Sequence, residues 1–406
     1  MNDEKKLVAG GSFLFISTLV VNAGNYATNL LLGRWLGPSD FSEASLLVTF
    51  MLMVSFFALA FQLTAAKYIV TFEDGKNQYL QGVFIGWLSQ KAFIVGSILM
   101  ALVLMLSVFW QDFFQTSSYL PFIIFGLGLP LYILMSVNRG VLQGLLNYKK
   151  LAFSYQYEMW VRLFVSIALV YAGYRVNGVA IGLTMSLLIT WWFSRVNLPR
   201  STNNNDIDYK QITQFLITIL AYECSQILIN NSDIILVKHF YQPFEAGLYA
   251  ALALIGRIVY FGTWTVVTML FPIVIKLEKE GKSHTKYFFG GLGLVAIMAT
   301  FIVGFCYFFP DFLISVLFGK DYLSIAPLLW KYAVATALFA CSNVFVYYHL
   351  SLDNHQPVWI TILAGIAQIV LISMYHQDFE QVIFVQILLM AVLFFTMVCF
   401  HFFKKR

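Results

Sequence analysis

The sequence predicts an all-α polytopic membrane protein with about twelve transmembrane helices. Of its 406 residues, 60% are apolar and only 11% are charged, and the mean hydropathy is +0.77. Soluble domains contain about 25% charged residues, so a water-soluble enzyme, a disordered chain and a disulfide-stapled secreted module are excluded as classes. The apolar residues also form runs of about 20, the length that crosses a hydrocarbon core about 30 Å thick as a helix.

Twelve apolar runs follow one another with short connections. They lie at residues 10–33, 42–66, 83–108, 121–145, 151–172, 177–197, 212–236, 245–274, 287–309, 323–347, 357–375 and 380–402. The longest polar connection, from Arg200 to Lys210, is rich in Asn and Asp and lies almost midway along the chain. We therefore predict an N-terminal lobe at 1–200 with helices 1–6, a cytoplasmic linker at 201–210, and a C-terminal lobe at 211–406 with helices 7–12.

Basic residues are distributed unevenly over the connections. The connections on the side of the N-terminus carry most of the Lys and Arg residues, and the positive-inside rule places such connections in the cytoplasm. The opposite connections contain only Arg34, Arg175, Lys238 and Lys320. Both termini are therefore predicted to be cytoplasmic, which requires an even number of spans, and twelve satisfies that requirement.

A weak internal repeat divides the chain into two similar halves. Pro38 and Asp40 follow the first predicted span, and Pro243 and Glu245 follow the seventh at an offset of about half the chain. Six spans per half give both halves the same direction through the membrane, which predicts a parallel repeat about an axis along the membrane normal. A proline followed by an acid is also a common helix-entry signal, so coincidence remains an alternative.

Ionisable residues occur inside the predicted spans, where each mid-membrane charge costs about 2.5–3.5 kcal/mol on insertion scales. The basic ones are Lys91, Arg139, Arg162, Arg257 and Lys331, and the acidic ones are Glu158, Glu223 and Asp233. Such side chains face a bundle interior or a wet cavity and have partners. Because the cations outnumber the acids, we expect an anionic passenger, and arginine suits phosphate because its planar fork binds two oxygens at once.

The charged residues differ in how readily packing alone explains them. Glu158 and Arg162 lie four residues apart on one helix face, which predicts an ion pair that serves either packing or the passenger. Arg139 and Lys91 lie near the predicted cytoplasmic boundary, where snorkelling is an alternative explanation. Arg257 has no acid within one helical turn, so its counter-charge must come from another helix, from backbone groups or from a ligand.

Neutral polar and aromatic residues accompany these charges. Asn25 in the first span and Asn230 in the seventh occupy equivalent positions of the repeat. Such amides either bond to a neighbouring helix or line a shared hydrophilic cavity. Tyr157 and Trp160 flank Glu158, and their rings can pack against the bundle or stack on sugar faces.

Two further patterns bear on packing and on catalysis. Gly140–Gly144 and Gly178–Gly182 have GxxxG spacing, which predicts close helix contacts. No Walker A loop, no HExxH motif and no Ser-His-Asp constellation is found. We therefore expect a protein that is not an enzyme, with no cofactor, no metal site and no nucleic-acid partner.

Two motifs carry a resemblance to a known family. The segments LGRWLGPSDF at 32–41 and NRGVLQGLLNY at 138–148, the latter followed by Glu158 and Arg162, resemble the polysaccharide (Wzx-type oligosaccharide) flippases of the multidrug/oligosaccharidyl-lipid/polysaccharide (MOP) exporter superfamily. The two-half organisation extends the resemblance over essentially the whole chain. The sequence departs from the family pattern at Glu43, where relatives usually have glycine, and it is too short for the two extra helices that some relatives carry.

The resemblance implies a MATE/MOP-like pair of six-helix lobes around a central cavity. It implies flipping of an undecaprenyl-diphosphate-linked oligosaccharide, by alternating access, across the bacterial cytoplasmic (inner) membrane, with H⁺ or Na⁺ as coupling ion. A glycan polymerase and a chain-length regulator of the same pathway are candidate partners. We expect pyrophosphate and glycan to contact Arg139, Arg257, Arg162, Lys91, Lys331, Asn25, Asn230, Tyr157 and Trp160, and the coupling ion to bind Glu223, Asp233 or Glu158.

Two other functions remain open from the sequence. A cation-coupled multidrug antiporter of the same superfamily would use acids within the membrane, but the first span has Asn22, Asn25 and Asn29 and no acid. A membrane-embedded glycan polymerase would present a large outer loop with Arg or His. The longest outer loop, around residues 110–120, is short and contains neither.

Overall fold

The computed structural model describes an almost entirely α-helical chain. It covers residues 2–71, 78–196, 207–258, 281–352 and 356–403, together with positions 266, 274, 277, 278 and 354. The chain separates into two compact units, Met1–Cys224 (unit 1) and Ser225–Arg406 (unit 2). Most of the predicted linker at 201–210 lies outside the described residues, and the predicted lobe boundaries stay a prediction.

Unit 1 is a bundle organised around its fourth helix. Its helices are α1 (Asn2–Thr71), α2 (Gln78–Met105), α3 (Ser107–Phe113), α4 (Leu120–Gly144), α5 (Tyr148–Leu169), α6 (Arg175–Ser194) and the first part of α7 (Tyr209–Phe240), and a π-helical turn at Val170–Tyr174 joins α5 to α6. Helix α4 packs against α1, α2 and α6, and α5 packs against α6 and α1. Helices suit these apolar runs because every backbone polar group is satisfied within the segment.

Helix α1 is interrupted at Gly37, which has φ 70° and ψ 171° and is followed by Pro38. That backbone conformation is essentially restricted to glycine, and proline lacks the N–H that would continue the hydrogen-bond ladder. The connection predicted between the first two spans is therefore a short break within one long helical stretch.

The glycines of α4 allow its close approach to α1. A Cβ atom on Gly140 would lie 2.2 Å from the carbonyl oxygen of Gln62, and one on Gly144 would lie 1.9 Å from Cγ2 of Ile69. Gly182 of α6 approaches α5 in the same way, with 2.1 Å between its virtual Cβ and a serine hydroxyl. The close contacts predicted from the GxxxG spacing are confirmed.

Unit 2 is organised around one central helix, Leu329–Ser351. Its elements are the second part of α7, α8 (Pro243–Gly256), α9 (Thr285–Phe308), α10 (Pro310–Leu317), a 3₁₀ helix (Lys320–Leu328), α11 (Leu329–Ser351), α12 (Gln356–Met374) and α13 (Phe379–Phe403). Helix α11 packs against α13, α9, α8 and α12. Most of the second half of the predicted span 245–274 lies outside the described residues.

Eight helical stretches of the described chain are long and apolar enough to cross a membrane, and nine if the two parts of α7, Tyr209–Ala221 and Gln226–Phe240, count as one span. Two of the eight, Ile16–Val70 and Tyr148–Ser194, contain 55 and 47 residues. At 1.5 Å per residue each is roughly 70–80 Å long, enough for two passes through a core of about 30 Å. A multi-pass membrane protein is confirmed, whereas the number twelve stays a prediction.

Candidate functional site

Unit 1 contains a buried charge cluster, which we define as Arg139, Glu158 and Arg162. Arg139 lies near the C-terminal end of α4, and the other two residues lie one turn apart on α5. Nη2 of Arg139 is 2.7 Å from Oε2 of Glu158, and Nη2 of Arg162 pairs with Oε1 of the same carboxylate. The ion pair predicted within α5 is confirmed, and a second arginine joins it from another helix.

Arg139 is held by several further contacts. Its Nε donates to the hydroxyl of Ser154 at 3.0 Å, and its Nη2 donates to the carbonyl oxygen of the same residue at 2.9 Å. Its guanidinium group lies 4.1 Å from the ring centroid of Tyr155, whose hydroxyl accepts a hydrogen bond from Gln62. With only 5% of its side chain exposed, Arg139 is fixed in one orientation and is well satisfied.

Arg162 is less well satisfied than Arg139. Its Nη1 donates to Oδ1 of Asn25 across a long 3.4 Å, and its buried Nε has no hydrogen-bond partner within the described part of the chain. A buried donor without an acceptor is costly, particularly on a charged group. Since two guanidinium groups share one carboxylate, the charge cluster has a formal charge of +1 and lacks one anion.

Three other residues predicted for the site lie outside the charge cluster. Tyr157 stacks on Phe193 with 4.6 Å between centroids, and Trp160 stacks on Phe164 at 5.5 Å. Both predicted residues remain about 40% exposed, at 39% and 42%. Lys91 is exposed on α2 and forms no hydrogen bond or ion pair with a described residue. Among the described residues, none of these three side chains forms a hydrogen bond or an ion pair with Glu158.

Unit 2 contains a second buried cluster around Asp233, which is 1% exposed. Nη2 of Arg257 donates to Oδ1 of Asp233 at 3.0 Å. The hydroxyls of Tyr332 and Tyr249 donate to Oδ2 at 2.7 and 3.2 Å, and Nη1 of Arg257 donates to Asn231 at 3.3 Å. We call these five residues the Asp233 cluster. Its arginine and its carboxylate cancel, and the counter-charge required by Arg257 comes from α7.

A small cavity with a mixed polar and apolar lining adjoins the Asp233 cluster. Its volume is about 30 Å³, and its lining includes Asp233, Arg257, Asn230 and Gln368. Such a volume holds a water molecule but not an organic passenger. Nearby on α7, both polar side-chain atoms of Gln226 are buried and lack a partner among the residues described. The polar groups that line the cavity are suited to a small ion or a water molecule.

The remaining predicted residues lie in different surroundings. Glu223, on the unit 1 part of α7, is half-buried and has no hydrogen bond or ion pair with any described residue. Lys331, near the start of α11, pairs with Glu380 at the start of α13, and the carboxylate side of this pair is 64% exposed. Lys331 is therefore compensated close to the surface of unit 2 and does not reach the Asp233 cluster.

Sequence reasoning missed the two tyrosines of the Asp233 cluster. Tyr249 and Tyr332 each donate a hydroxyl hydrogen bond to the carboxylate of Asp233. A buried tyrosine needs a hydrogen-bond partner for its hydroxyl, so tyrosines inside apolar runs are a usable signal. Which carboxylate each of them binds depends on helix packing, which the linear sequence does not state.

Comparisons with known proteins agree with this helical architecture. The sequence model of the family described as "Polysaccharide biosynthesis protein" matches residues 31–327. No curated protein sequence gives a significant match. The matched range covers most of the chain and includes the charge cluster and all of the Asp233 cluster except Tyr332.

Solved membrane transporters have the same fold. An inward-facing multidrug resistance MATE family transporter of the MOP superfamily aligns with a TM-score of 0.75 at 10% identity, covering 93% of each chain. The lipid II flippase MurJ, in an inward closed conformation, aligns with a TM-score of 0.75 at 12% identity, covering 97% of this chain and 87% of MurJ. The MATE multidrug transporter DinF-BH aligns with a TM-score of 0.70 at 14% identity, covering 99% of this chain and 96% of that transporter. These similarities confirm the predicted MATE/MOP-like fold class.

Proposed function

The chain belongs to the polysaccharide biosynthesis protein family, and from this premise we propose that it flips an undecaprenyl-diphosphate-linked oligosaccharide. In this proposal the lipid-linked glycan moves from the inner to the outer leaflet of a bacterial cytoplasmic membrane by alternating access. Both chain termini are cytoplasmic, the protein catalyses no covalent step, and H⁺ or Na⁺ is the coupling ion. The glycan polymerase and chain-length regulator of the same pathway remain the candidate partners.

The observation that carries this proposal is the missing anion of the charge cluster. Arg139 and Arg162 share Glu158, and the buried Nε of Arg162 lacks an acceptor in the described chain. A diphosphate supplies both the negative charge and the acceptor oxygens, and a guanidinium fork binds such oxygens in pairs. Arg162 is therefore the group that we expect to bind phosphate most directly, with Arg139 positioned behind it.

The Asp233 cluster supports a coupling role for the second unit. Arg257 is neutralised by Asp233 at 3.0 Å, so it is not available to an anion while that pair is intact. A proton or sodium ion bound at Asp233 would weaken the pair and free the guanidinium group for the diphosphate. The adjoining cavity of about 30 Å³ is large enough for the ion or for a water that delivers the proton. Glu223 and Glu158 are the other candidate coupling carboxylates.

The remaining predicted contacts have a place in this proposal. The exposed rings of Tyr157 and Trp160 would contact the glycan. The amides of Asn25 and Asn230 would line the route that the polar headgroup takes across the membrane. Lys91 would attract the anionic headgroup. Lys331 would do so only after it leaves its carboxylate partner.

Vesicles containing the purified protein provide the test. A fluorescent undecaprenyl-diphosphate oligosaccharide is placed in one leaflet, and its appearance in the other leaflet is followed with a membrane-impermeant quencher. The informative variant is Arg162→Gln, because it removes the surplus charge and leaves the buried pair of Arg139 and Glu158 intact. Arg34→Gln is the matched control, since Arg34 is exposed and forms no ion pair with a described residue.

We expect the wild-type protein and Arg34→Gln to transfer the lipid equally well, and Arg162→Gln to transfer it at least tenfold more slowly, the effect of about 1.4 kcal/mol. Absence of transfer by the wild-type protein would contradict the proposed function. Wild-type rates from a correctly folded Arg162→Gln variant would instead contradict the assignment of phosphate to the charge cluster.

A cation-coupled multidrug antiporter is the second candidate function. It is favoured by the buried acid at Asp233 and by the fold shared with MATE transporters. The same vesicles distinguish the two candidates when they are loaded with a fluorescent organic cation. Export of the cation driven by a sodium or proton gradient, without transfer of the lipid-linked glycan, would favour the antiporter.

A further inference from the structure

A polar pocket of unit 1 lies apart from the charge cluster. It forms where the break in α1, the connection between α3 and α4, and the connection between α5 and α6 meet. Its volume is about 340 Å³, which falls within the usual range of small-molecule sites. We call it the junction pocket, and its polar lining consists of Asp40, Ser117, Ser118, Tyr174, Arg175 and Asn177.

The junction pocket contains a two-point ion pair. Nε and Nη2 of Arg175 donate to Oδ2 and Oδ1 of Asp40 at 2.5 and 2.8 Å. The carboxylate side chain is 10% exposed, whereas the arginine side chain is 72% exposed. The third nitrogen, Nη1, forms no hydrogen bond with a described residue. An oriented guanidinium group with a spare donor is therefore presented at the pocket.

The backbone at Arg175 is strained. Its φ is +48°, in a region that residues other than glycine rarely adopt. Glycine would relieve this strain, and Gly173, two residues earlier, already has a φ of +90°. Strained residues cluster at binding and catalytic sites, where the surrounding structure holds them in place. The strain here positions the Arg175 side chain against Asp40.

Two further groups make the pocket a polar site with fixed walls. Oδ1 of Asn177 is buried and has no hydrogen-bond partner within the described residues. Ser117 is anchored by Glu43, because its N–H and its hydroxyl donate to the two carboxylate oxygens at 2.7 and 3.1 Å. Glu43 is 5% exposed. Glu43 thus holds one wall of the junction pocket.

We propose that the junction pocket is an exit subsite that binds one neutral sugar residue of the glycan. This inference rests on the proposed function, and the predicted topology places the three connections on the outer side of the membrane. Adjacent hydroxyls of a sugar can accept from the free donor of Arg175 and donate to Asp40 and to the unpaired oxygen of Asn177. The ring of Tyr174, which is 55% exposed, offers an apolar face to sugar C–H groups.

The charges of the pocket select against acidic sugars. Asp40 and Arg175 neutralise each other, and the carboxylate of Glu43 lies behind Ser117. A uronic acid would bring a further negative charge towards two carboxylates, and like charges at short distance disfavour binding. The subsite should therefore prefer neutral hexoses or N-acetylhexosamines to uronic acids.

Saturation-transfer difference NMR on the purified full-length protein tests this inference. The probes are methyl glycosides of a neutral hexose and of an N-acetylhexosamine, with methyl glucuronide as the acidic comparison. The variant is Arg175→Gly, because glycine adopts a positive φ without strain and so preserves the fold. Arg34→Gly, which removes an exposed arginine from the same predicted face, is the matched control, and Asn177→Ala is the second variant.

We expect saturable binding of a neutral glycoside that weakens about tenfold in Arg175→Gly and in Asn177→Ala, the loss typical of a hydrogen bond to a charged or buried group. Arg34→Gly should bind as the wild-type protein does, and methyl glucuronide should bind more weakly than the neutral glycosides. The inference is overturned if no neutral glycoside binds saturably, if Arg175→Gly binds like the wild-type protein, or if the glucuronide binds best.

Glycoside binding does not require transport, so the two proposals fail separately. Normal transfer of the lipid-linked glycan in vesicles, together with no glycoside binding, would overturn the exit subsite alone. Saturable binding that depends on Arg175, together with no transfer of the lipid, would overturn the proposed function and leave a saccharide site at the junction pocket.

Discussion

The two units carry buried charge in different ways. In the charge cluster of unit 1, two guanidinium groups share the carboxylate of Glu158, and one of them retains an unsatisfied donor within the described chain. In the Asp233 cluster of unit 2, one guanidinium group faces one carboxylate, which also accepts hydrogen bonds from two tyrosine hydroxyls. The first cluster has a formal charge of +1, and the second is neutral.

This difference separates two tasks that a transporter must perform. A buried site with surplus charge is incomplete without a counter-ion, so it favours a charged passenger. A neutral ion pair whose hydrogen bonds are all made attracts no charged passenger. The pair weakens, however, when a proton or a cation binds its carboxylate. We infer that unit 1 recognises the anion and that unit 2 responds to the coupling ion.

The largest expected difference in stability between variants of the two units comes from neutralising the carboxylates of Glu158 and Asp233. Removing one partner of a buried ion pair typically destabilises a protein by about 3–5 kcal/mol. Glu158→Gln leaves two adjacent guanidinium groups without a counter-ion, whereas Asp233→Asn leaves one guanidinium group and retains an oxygen for the tyrosine hydroxyls. We expect Glu158→Gln to lower the melting temperature more than Asp233→Asn. An equal or reversed order in detergent-solubilised protein would contradict the charge assignment of the two clusters.

Neutralising the arginines should change the stability of the two units by very different amounts. Arg257→Gln leaves Asp233 buried without its cation, and we expect a loss of about 3–5 kcal/mol. Arg162→Gln leaves a one-to-one pair between Arg139 and Glu158, so the free energy of unfolding should change by less than about 1 kcal/mol. Denaturant unfolding monitored by tryptophan fluorescence measures both. A strongly destabilised Arg162→Gln would show that the unit 1 cluster has no surplus charge.

Removing one tyrosine hydroxyl from each unit sharpens the comparison further. Tyr332→Phe removes a 2.7 Å hydrogen bond to a carboxylate, which is worth about 1.5–3 kcal/mol. Tyr155→Phe removes a 3.0 Å hydrogen bond from the neutral amide of Gln62, worth about 0.5–1.5 kcal/mol. The same unfolding measurement should rank Tyr332→Phe as the more damaging change. If the two variants are equally stable, Tyr332 does not stabilise the carboxylate in the way its geometry indicates.

A last comparison between the units concerns helix packing. A Cβ atom at Gly144 would lie 2.7 Å from the backbone oxygen of Ala66, so Gly144→Ala should cost about 1–3 kcal/mol through overpacking. In unit 2, a Cβ atom at Gly365 would lie 3.1 Å from the side chain of Ile229, which can adjust by a rotamer change. Gly365→Ala should therefore cost less than about 1 kcal/mol. Melting temperatures of the two variants provide the check, and a more harmful Gly365→Ala would contradict it.

Features encoded within a few residues of each other were predicted from the sequence. The apolar runs gave the helices, because a helix is determined by local composition and length. The pair between Glu158 and Arg162 followed from their spacing of one helical turn, and the close contact at Gly140 followed from the GxxxG pattern. In each case the signal lies within a single helix, although the partner of Gly140 on α1 is shown only by the structure.

Features that depend on the rotation of one helix against another were not predicted. Arg139 reaches Glu158 from α4, and Asp233 reaches Arg257 from α7. Lys331 was assigned to the interior, yet its partner Glu380 lies at a partly exposed helix start. Composition identifies a span but leaves the rotation of each helix about its axis open. The residues that face a neighbouring helix, and their partners there, are therefore hidden in a single sequence.

At the break in α1 there is space for a side chain at Gly37, but the backbone conformation there disfavours one. A Cβ atom built on Gly37 would meet no other atom of the described chain within 4 Å, so size does not explain the glycine. Its φ of 70° is unfavourable to residues of L configuration and is relaxed in their mirror images. The chirality of the backbone conformation, and not the available space, therefore selects glycine at position 37. A D-alanine introduced there by chemical ligation should fit, whereas L-alanine should be strained.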